Sequence, residues 1–317
     1  MTSMTRRGIL AATGIIIASP FWSWAQAVAQ ADAAPRKRLL FFTKSQDYSH
    51  PLVTRTKAPD GKPSEELAIA EKILKQWTEA AGYEIVITKE GSIFTPETIA
   101  TFDTFIFHTS GDLTKPPARG ADLTSAMSPE GKAALLKAIE EGKGFLGVHS
   151  ATATFNDTTR KSDPVALLAD GEKVDSYIRM LGAQFTSHGD QQKATIRIPP
   201  TAKDFPGLAY LKQFDMTEEW YAFTAMARDL HVLMIQDTAS MSFRGQRQKQ
   251  YTGPNYPNTW ARLHGKGRVF NTSLGHREDV WNNPLYQPLL LAALAWTTRR
   301  VDAEIKPNIL ELCPELK

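Results

Sequence analysis

Cysteine is almost missing from this chain: Cys313 is the single thiol in 317 residues. One cysteine excludes an intramolecular disulfide. Its place near the C-terminus, between Leu312 and Pro314, puts it on an expected surface tail and excludes thiol catalysis in the core. A charge excess is lacking too. Lys and Arg number 37 against 34 Asp and Glu, a formal net charge of +3 that is too small a field to imply a nucleic-acid partner. After the N-terminal segment no apolar run reaches the ~20 residues that cross a bilayer, and the stretch from Pro288 to Trp296 reads as a short helix. A phosphate-cradling loop is missing as well. Gly142, Gly144 and Gly147 have dinucleotide-loop spacing, but they precede and interrupt a strand, whereas phosphate needs backbone amides at a helix start. No nucleotide cofactor is expected.

The first residues are of a different kind. Thr5, Arg6 and Arg7 precede an apolar run from Gly8 to Phe21, and small-residue sites follow at Ala25-Gln26-Ala27 and Ala31-Asp32-Ala33. That order is a signal peptide with a twin-arginine start, expected over residues 1–33. Its removal would leave a periplasmic or secreted protein with no membrane attachment. Residues 36–300 then form the expected domain, and 301–317 a C-terminal tail.

Within the domain, Arg38 to Thr43 (RLLFFT) is apolar without alternation, as in a strand buried on both faces. A helix capped by Ser64 is expected next, with Ile73, Leu74 and Trp77 at helical spacing and Gly82 as its stop. Strands follow at Glu84–Thr88 and Phe102–Thr109. Ser128 and Pro129 then open a helix that ends at Gly142, and Gly144–Val148 is a fourth strand. This alternation predicts an α/β parallel sheet with helices on both faces, whose ligands bind beyond the carboxyl ends of the strands. Further on, a helix is expected over Val174–Leu181 and a strand over Lys193–Ile198. TEEWYAF and HVLMIQD read as paired strands, a hairpin turns at Gly265-Lys266-Gly267, and a last helix runs from about Pro284 to Trp296.

The seven histidines carry most of the chemistry. His50, His149, His188 and His276 fall in loops or at strand ends among polar neighbours; His108 ends a strand and is ambiguous; His231 and His264 sit inside strand patterns. In TEEWY, alternation would send one of Glu218 and Glu219 into a site and the other to solvent. Trp220 and Tyr221 beside them suit the C–H face of a sugar ring. Glu278, two residues from His276, is close enough to orient its imidazole.

FLGVHSATATF, SHGD, TEEWYAF and GKGRVFNTSLGHREDVWNNPLYQPLLLAALAW together resemble the ThuA-like (trehalose utilisation) family, over most of the chain from Arg38 to Trp296. The resemblance implies a flavodoxin-like fold, that of class I glutamine amidotransferases, in one domain. There a cysteine at a strand-to-helix elbow works with a His-x-Glu pair. His149 stands where that cysteine would be, and His276 with Glu278 where the pair would be, so glutaminase chemistry is not expected. The family's association implies a sugar or 3-keto-disaccharide as substrate.

A histidine at an exposed elbow is either a general base or a metal ligand. As a base, His149 takes a proton from the carbon beside a ketone or from water, with Glu219 or His276 protonating the leaving oxygen; as a ligand it is joined by His50 and His188 around a divalent ion such as zinc. His50, Asp112, Ser150, Thr152, Trp220, Tyr221 and Glu278 are expected to bind the substrate. The alternative is a non-catalytic sugar-binding protein with the same pocket. A serine hydrolase built on Ser150 lacks the Gly-x-Ser-x-Gly pattern. Replacing both Arg6 and Arg7 by Lys should abolish export, read by fractionation and intact mass; a shortened periplasmic product from that variant would refute the twin-arginine assignment.

Overall fold

β1 (Arg38–Phe42) is buried from Leu39 onward and lies between β2 (Glu84–Thr88) and β3 (Thr104–Phe107), parallel to both. β4 (Gly144–Val148) pairs parallel with β3 on one side and with β11 (Gly267–Thr272) on the other. The full sheet has nine strands in the order β2-β1-β3-β4-β11-β10-β9-β6-β7. Past β11 the pairing turns antiparallel through β10 (Asn255–His264), β9 (His231–Asp237), β6 (Gln192–Arg197) and β7 (Phe214–Glu218). A separate ribbon joins β5 (Gln184–His188) to β8 (Tyr221–Thr224). The computed structural model describes residues 36–316 except 118–121, 158, 160–164, 240 and 242–254. The expected signal peptide lies outside the described residues.

The lack of alternation in the parallel strands has its cause in a core on each face. Leu39, Phe41, Ile106, Leu146 and Phe270 pack on one side against Ala70 and Leu74 of α1 (Ile69–Ala80). After the short α2 (Pro96–Ala100), Leu135 and Ile139 of α3 (Pro129–Glu140) meet Phe42, Phe105, Phe107 and Phe145 on the other side. α4 (Ser176–Leu181) joins the second layer, with Tyr177, Ile178 and Leu181. α5 (Glu278–Trp281) and α6 (Tyr286–Thr297) return to the first, with Val280, Trp281, Leu290 and Leu294. The expected α/β sheet with helices on both faces is therefore the observed one.

Three local expectations differ. The first helix begins at Ile69, not after Ser64; Glu71 Oε2 accepts the Ala68 N–H at 2.8 Å, and the Ser64 hydroxyl bonds Thr56 instead. β8 and β9 are not partners, because β8 pairs with β5 while β9 lies between β10 and β6. Cys313 is not on the surface. It follows α7 (Ile309–Leu312) and packs, fully buried, with Ile309, Val232 and Trp260, while Asn308 Oδ1 accepts the Val232 N–H at 2.6 Å. Burial pushes the Cys313 thiol up to about 12. The native protein should therefore leave Cys313 unmodified by a thiol reagent at neutral pH and release it for stoichiometric labelling only in denaturant; rapid labelling of the native protein would contradict the packed C-terminal segment.

Candidate functional site

β1, β3, β4 and β11 are consecutive neighbours in the sheet, and each emits a histidine-bearing segment beyond its carboxyl end. His50 lies in the loop after β1, His108 directly follows β3, His149 directly follows β4, and His276 comes after β11. Adjacent strands are about 4.8 Å apart, so side chains leaving their ends can meet. They do. Ring centroids are 4.9 Å apart for His50 and His149, 5.1 Å for His149 and His276, and 5.5 Å for His50 and His276.

The elbow after β4 is sharp. His149 has φ 44°, in the left-handed region that non-glycine residues seldom adopt, and it opens a 3-10 turn over His149–Ala153. Contrary to the expectation of an exposed elbow, the residue is completely buried. Its ring is held by Tyr221, with centroids 4.2 Å apart, and by the Ser273 carbonyl 2.8 Å from Nδ1. A carbonyl only accepts, so Nδ1 carries the proton and Nε2 presents a lone pair. That lone pair faces His276 Nδ1 at 3.2 Å and Glu219 Oε2 at 3.4 Å.

Glu219 lies between β7 and β8, where the chain leaves the large sheet for the small ribbon. This switch interrupts the alternation, so Glu218 is not turned to solvent as expected: both carboxylates are inside. Glu219 Oε2 stands 3.2 Å from His276 Nδ1, and its Oε1 3.3 Å from His188 Nδ1. Burial alone would raise this carboxyl; the imidazoles of His149, His276 and His188 around it outweigh burial and hold it well below the usual range. Burial keeps His50 and His149 below the ordinary imidazole range, so both are neutral near pH 7.

Glu218 does different work. Its Oε1 accepts the N–H groups of Gly275 at 2.9 Å and His276 at 2.6 Å, which fixes the loop that carries His276. The path is tight, because Gly275 has φ 125° and an added Cβ would stand 2.8 Å from the Tyr286 hydroxyl. Burial raises the Glu218 carboxyl to about 8, against the opposing pull of those two amides.

Ligand atoms from His50, His149, Glu219 and His276 all lie within 4.8 Å of one another. Neighbouring ligands of a tetrahedral zinc ion, with bonds of 2.0–2.2 Å, are about 3.4 Å apart. The observed spacings of 3.2, 3.2 and 3.4 Å among His149, His276 and Glu219 match that edge. A lone pair at His149 Nε2 opposite a carboxylate oxygen is repulsive unless positive charge lies between them. The residues fit a divalent metal.

Of the expected triad His50, His149 and His188, the structure brings the first two together. His188 is 36% exposed and touches the outer oxygen of Glu219, outside the four-residue group, and Glu219 and His276 take its place. Trp220 is no sugar platform; it is buried in the core with its indole N–H donating to the Gln192 carbonyl. Tyr221 is buried too, and its hydroxyl lies 3.3 Å from His50 Nε2, orienting that ring. Asp112 caps its own turn by accepting from the Thr114 amide and hydroxyl. Ser150 and Thr152 are fully buried in the elbow turn, and Glu278 is exposed in the first turn of α5 rather than beside the His276 ring. His108, ambiguous in sequence, belongs to the cluster, 5.6 Å from the ring of His50 and 5.9 Å from that of His149.

Imidazoles and one carboxylate thus gather beyond the carboxyl ends of the parallel strands of a flavodoxin-like α/β protein. The sequence model of the ThuA family, described as trehalose utilisation, matches residues 52–297, and the chain belongs to that family. Solved ThuA-like proteins share the fold. One from Bacteroides uniformis has a TM-score of 0.57 at 16% identity, covering 84% of this chain and 92% of that one. Another, from Parabacteroides merdae, has a TM-score of 0.54 at 14% identity, with 86% and 93% covered. A search of curated proteins returns no match.

Glu218 gives the site a pH signature. A carboxyl raised from 4.5 to about 8 in the folded state binds more protons than in the unfolded chain between those values. Its contribution to stability is therefore complete at low pH and lost as pH rises through about 8. The depressed imidazoles titrate within the same window but are present in both proteins, so a comparison with a Glu218 variant cancels them. Metal-free wild type should lose stability between about pH 5 and 8 relative to Glu218→Gln, which keeps the acceptor oxygen; parallel denaturation midpoints over that range would contradict the assignment.

Proposed function

We propose that the protein is an exported enzyme of carbohydrate catabolism that acts on a sugar or 3-keto-disaccharide at a divalent metal held by His50, His149, Glu219 and His276. One observation carries this reading: a neutral imidazole lone pair and a carboxylate oxygen face each other 3.4 Å apart in a buried site. A cation resolves that opposition without protonating His149, which burial disfavours. When bound, the metal supplies a Lewis acid that polarises a ketone oxygen and so acidifies the neighbouring C–H.

The chain's own residues do the rest. His149, read from the sequence as either a base or a ligand, is buried with Nε2 turned to the cluster, which supports the ligand role. His188 takes the role of base. Its Nδ1 lies between two acceptors, the Gly189 carbonyl at 2.9 Å and Glu219 Oε1 at 3.3 Å, so the proton sits there and Nε2 keeps its lone pair. Being partly exposed, it reaches an incoming sugar. His188 Nε2 removes the proton from the carbon beside the ketone, the electron pair moves into the enolate, and the same imidazolium returns the proton. Return to the oxygen expelled from the β-carbon gives elimination, and water added to the enone completes hydrolysis; return to the former carbonyl carbon, with the adjacent hydroxyl proton passing to the enolate oxygen, moves the ketone one carbon along and gives isomerisation. The reading needs neither a nucleotide nor a macromolecular partner.

Protein purified from the periplasm should contain one equivalent of divalent metal, and its turnover of 3-keto-disaccharides should vanish with EDTA and return on metal addition. His149→Ala should lower activity and metal affinity by at least about 100-fold, more than the loss of a group that merely orients a ligand. Calorimetric binding of an unmodified sugar with no turnover of any 3-keto-sugar would instead favour the non-catalytic sugar-binding protein.

A further inference from the structure

His108 is completely buried, and neither of its ring nitrogens has a hydrogen-bond partner. An imidazole always carries at least one N–H, and a neutral one also a lone pair. Leaving both unmatched by the protein at a buried position is costly, whereas a leucine or phenylalanine at the same place would carry no such cost. Nothing in the fold demands the polarity. The backbone N–H of His108 is already used, donating to the Phe42 carbonyl at 3.1 Å. Its neighbour Phe107 satisfies the apolar layer beneath.

The ring's position supplies the reason. It stands 5.6 Å from the His50 ring and 5.9 Å from the His149 ring, against 5.5 Å for the widest pair among the three histidines of the metal group. A side-chain shift of about 0.5 Å, the size of an ordinary thermal displacement, brings it to the same spacing. Resting on the metal reading above, we propose that His108 is a fifth protein ligand, so that the site binds its ion through four imidazoles and one carboxylate. Such a donor set exceeds the four ligands of a closed tetrahedral zinc site. It suits an ion that accepts five or six ligands, of the manganese, iron, cobalt or nickel kind, and still leaves a position for a substrate oxygen.

Cobalt(II) titration of the metal-free mature protein tests this, because the intensity of cobalt's visible bands reports coordination number. Wild type should bind one equivalent and show the weak bands of five- or six-coordinate cobalt. His108→Phe should still bind one equivalent, at least tenfold more weakly, and show the intense bands of a tetrahedral site. The metal-free variant should melt no lower than metal-free wild type, since it removes two unpartnered nitrogens. Wild type and variant alike in spectrum and affinity would overturn the fifth ligand while leaving the four-residue site intact; no cobalt uptake by wild type would overturn both. A second measurement needs no variant for binding. In ring nitrogen-15 spectra of the wild type, a His108 resonance should move on addition of cadmium(II), a diamagnetic ion that accepts six ligands, together with those of His50, His149 and His276, and an unmoved His108 resonance overturns the proposal.

Discussion

Glu219 is the constraint on which the site depends. Its two oxygens meet three imidazoles from separate parts of the chain: His149 and His276 on one, His188 on the other. A buried carboxylate is tolerated only where it is matched by hydrogen-bond donors or positive charge. Here one partner, His149, is kept neutral by burial and has its single proton already committed to the Ser273 carbonyl. The site is therefore under-supplied with positive charge. A metal ion would meet that shortage beside a ring that burial keeps uncharged.

The fold delivers this arrangement through strand order. β1, β3, β4 and β11 are parallel neighbours, so four loops that are remote in sequence emerge side by side. The acid comes from the other direction, where the chain leaves β7 of the large sheet and enters β8 of the ribbon. Glu218 links the two contributions by fixing the amides of Gly275 and His276. Tyr221 then does two jobs, packing on the ring of His149 and orienting that of His50. Position is built in twice, from the sheet edge and from the crossover, and this suits a centre that must hold several ligands at once.

Much of the parallel half was legible because its signals are local. RLLFF and GFLGV lack alternation, which reports burial on both faces, and Ser128 with Pro129 marks a helix start that the Gly131 amide confirms by donating to the Ser128 hydroxyl. The turn at Gly265 was equally plain. What failed was non-local. Alternation placed one of Glu218 and Glu219 in solvent, but a chain that changes sheets between them turns both inward. Trp220 beside a carboxylate suggested a sugar platform, yet its indole belongs to the core. His188 looked equal to His149 as a ligand, since nothing in SHGD shows that it ends a ribbon strand and contacts only the far oxygen of Glu219. His108 followed a strong strand signal at the edge where ligands gather, and that position could have promoted it.

The account stands on a metal held at the junction of the four strand ends and the crossover acid. Anomalous diffraction at the absorption edge of the native metal, from crystals of protein isolated without chelators, tests this most directly. One anomalous peak within about 2.3 Å of His50, His149, His276 and Glu219 is predicted. A fully occupied protein whose only anomalous peak lies elsewhere, or ordered density showing a water hydrogen-bonded among those four side chains in metal-replete crystals, would contradict it.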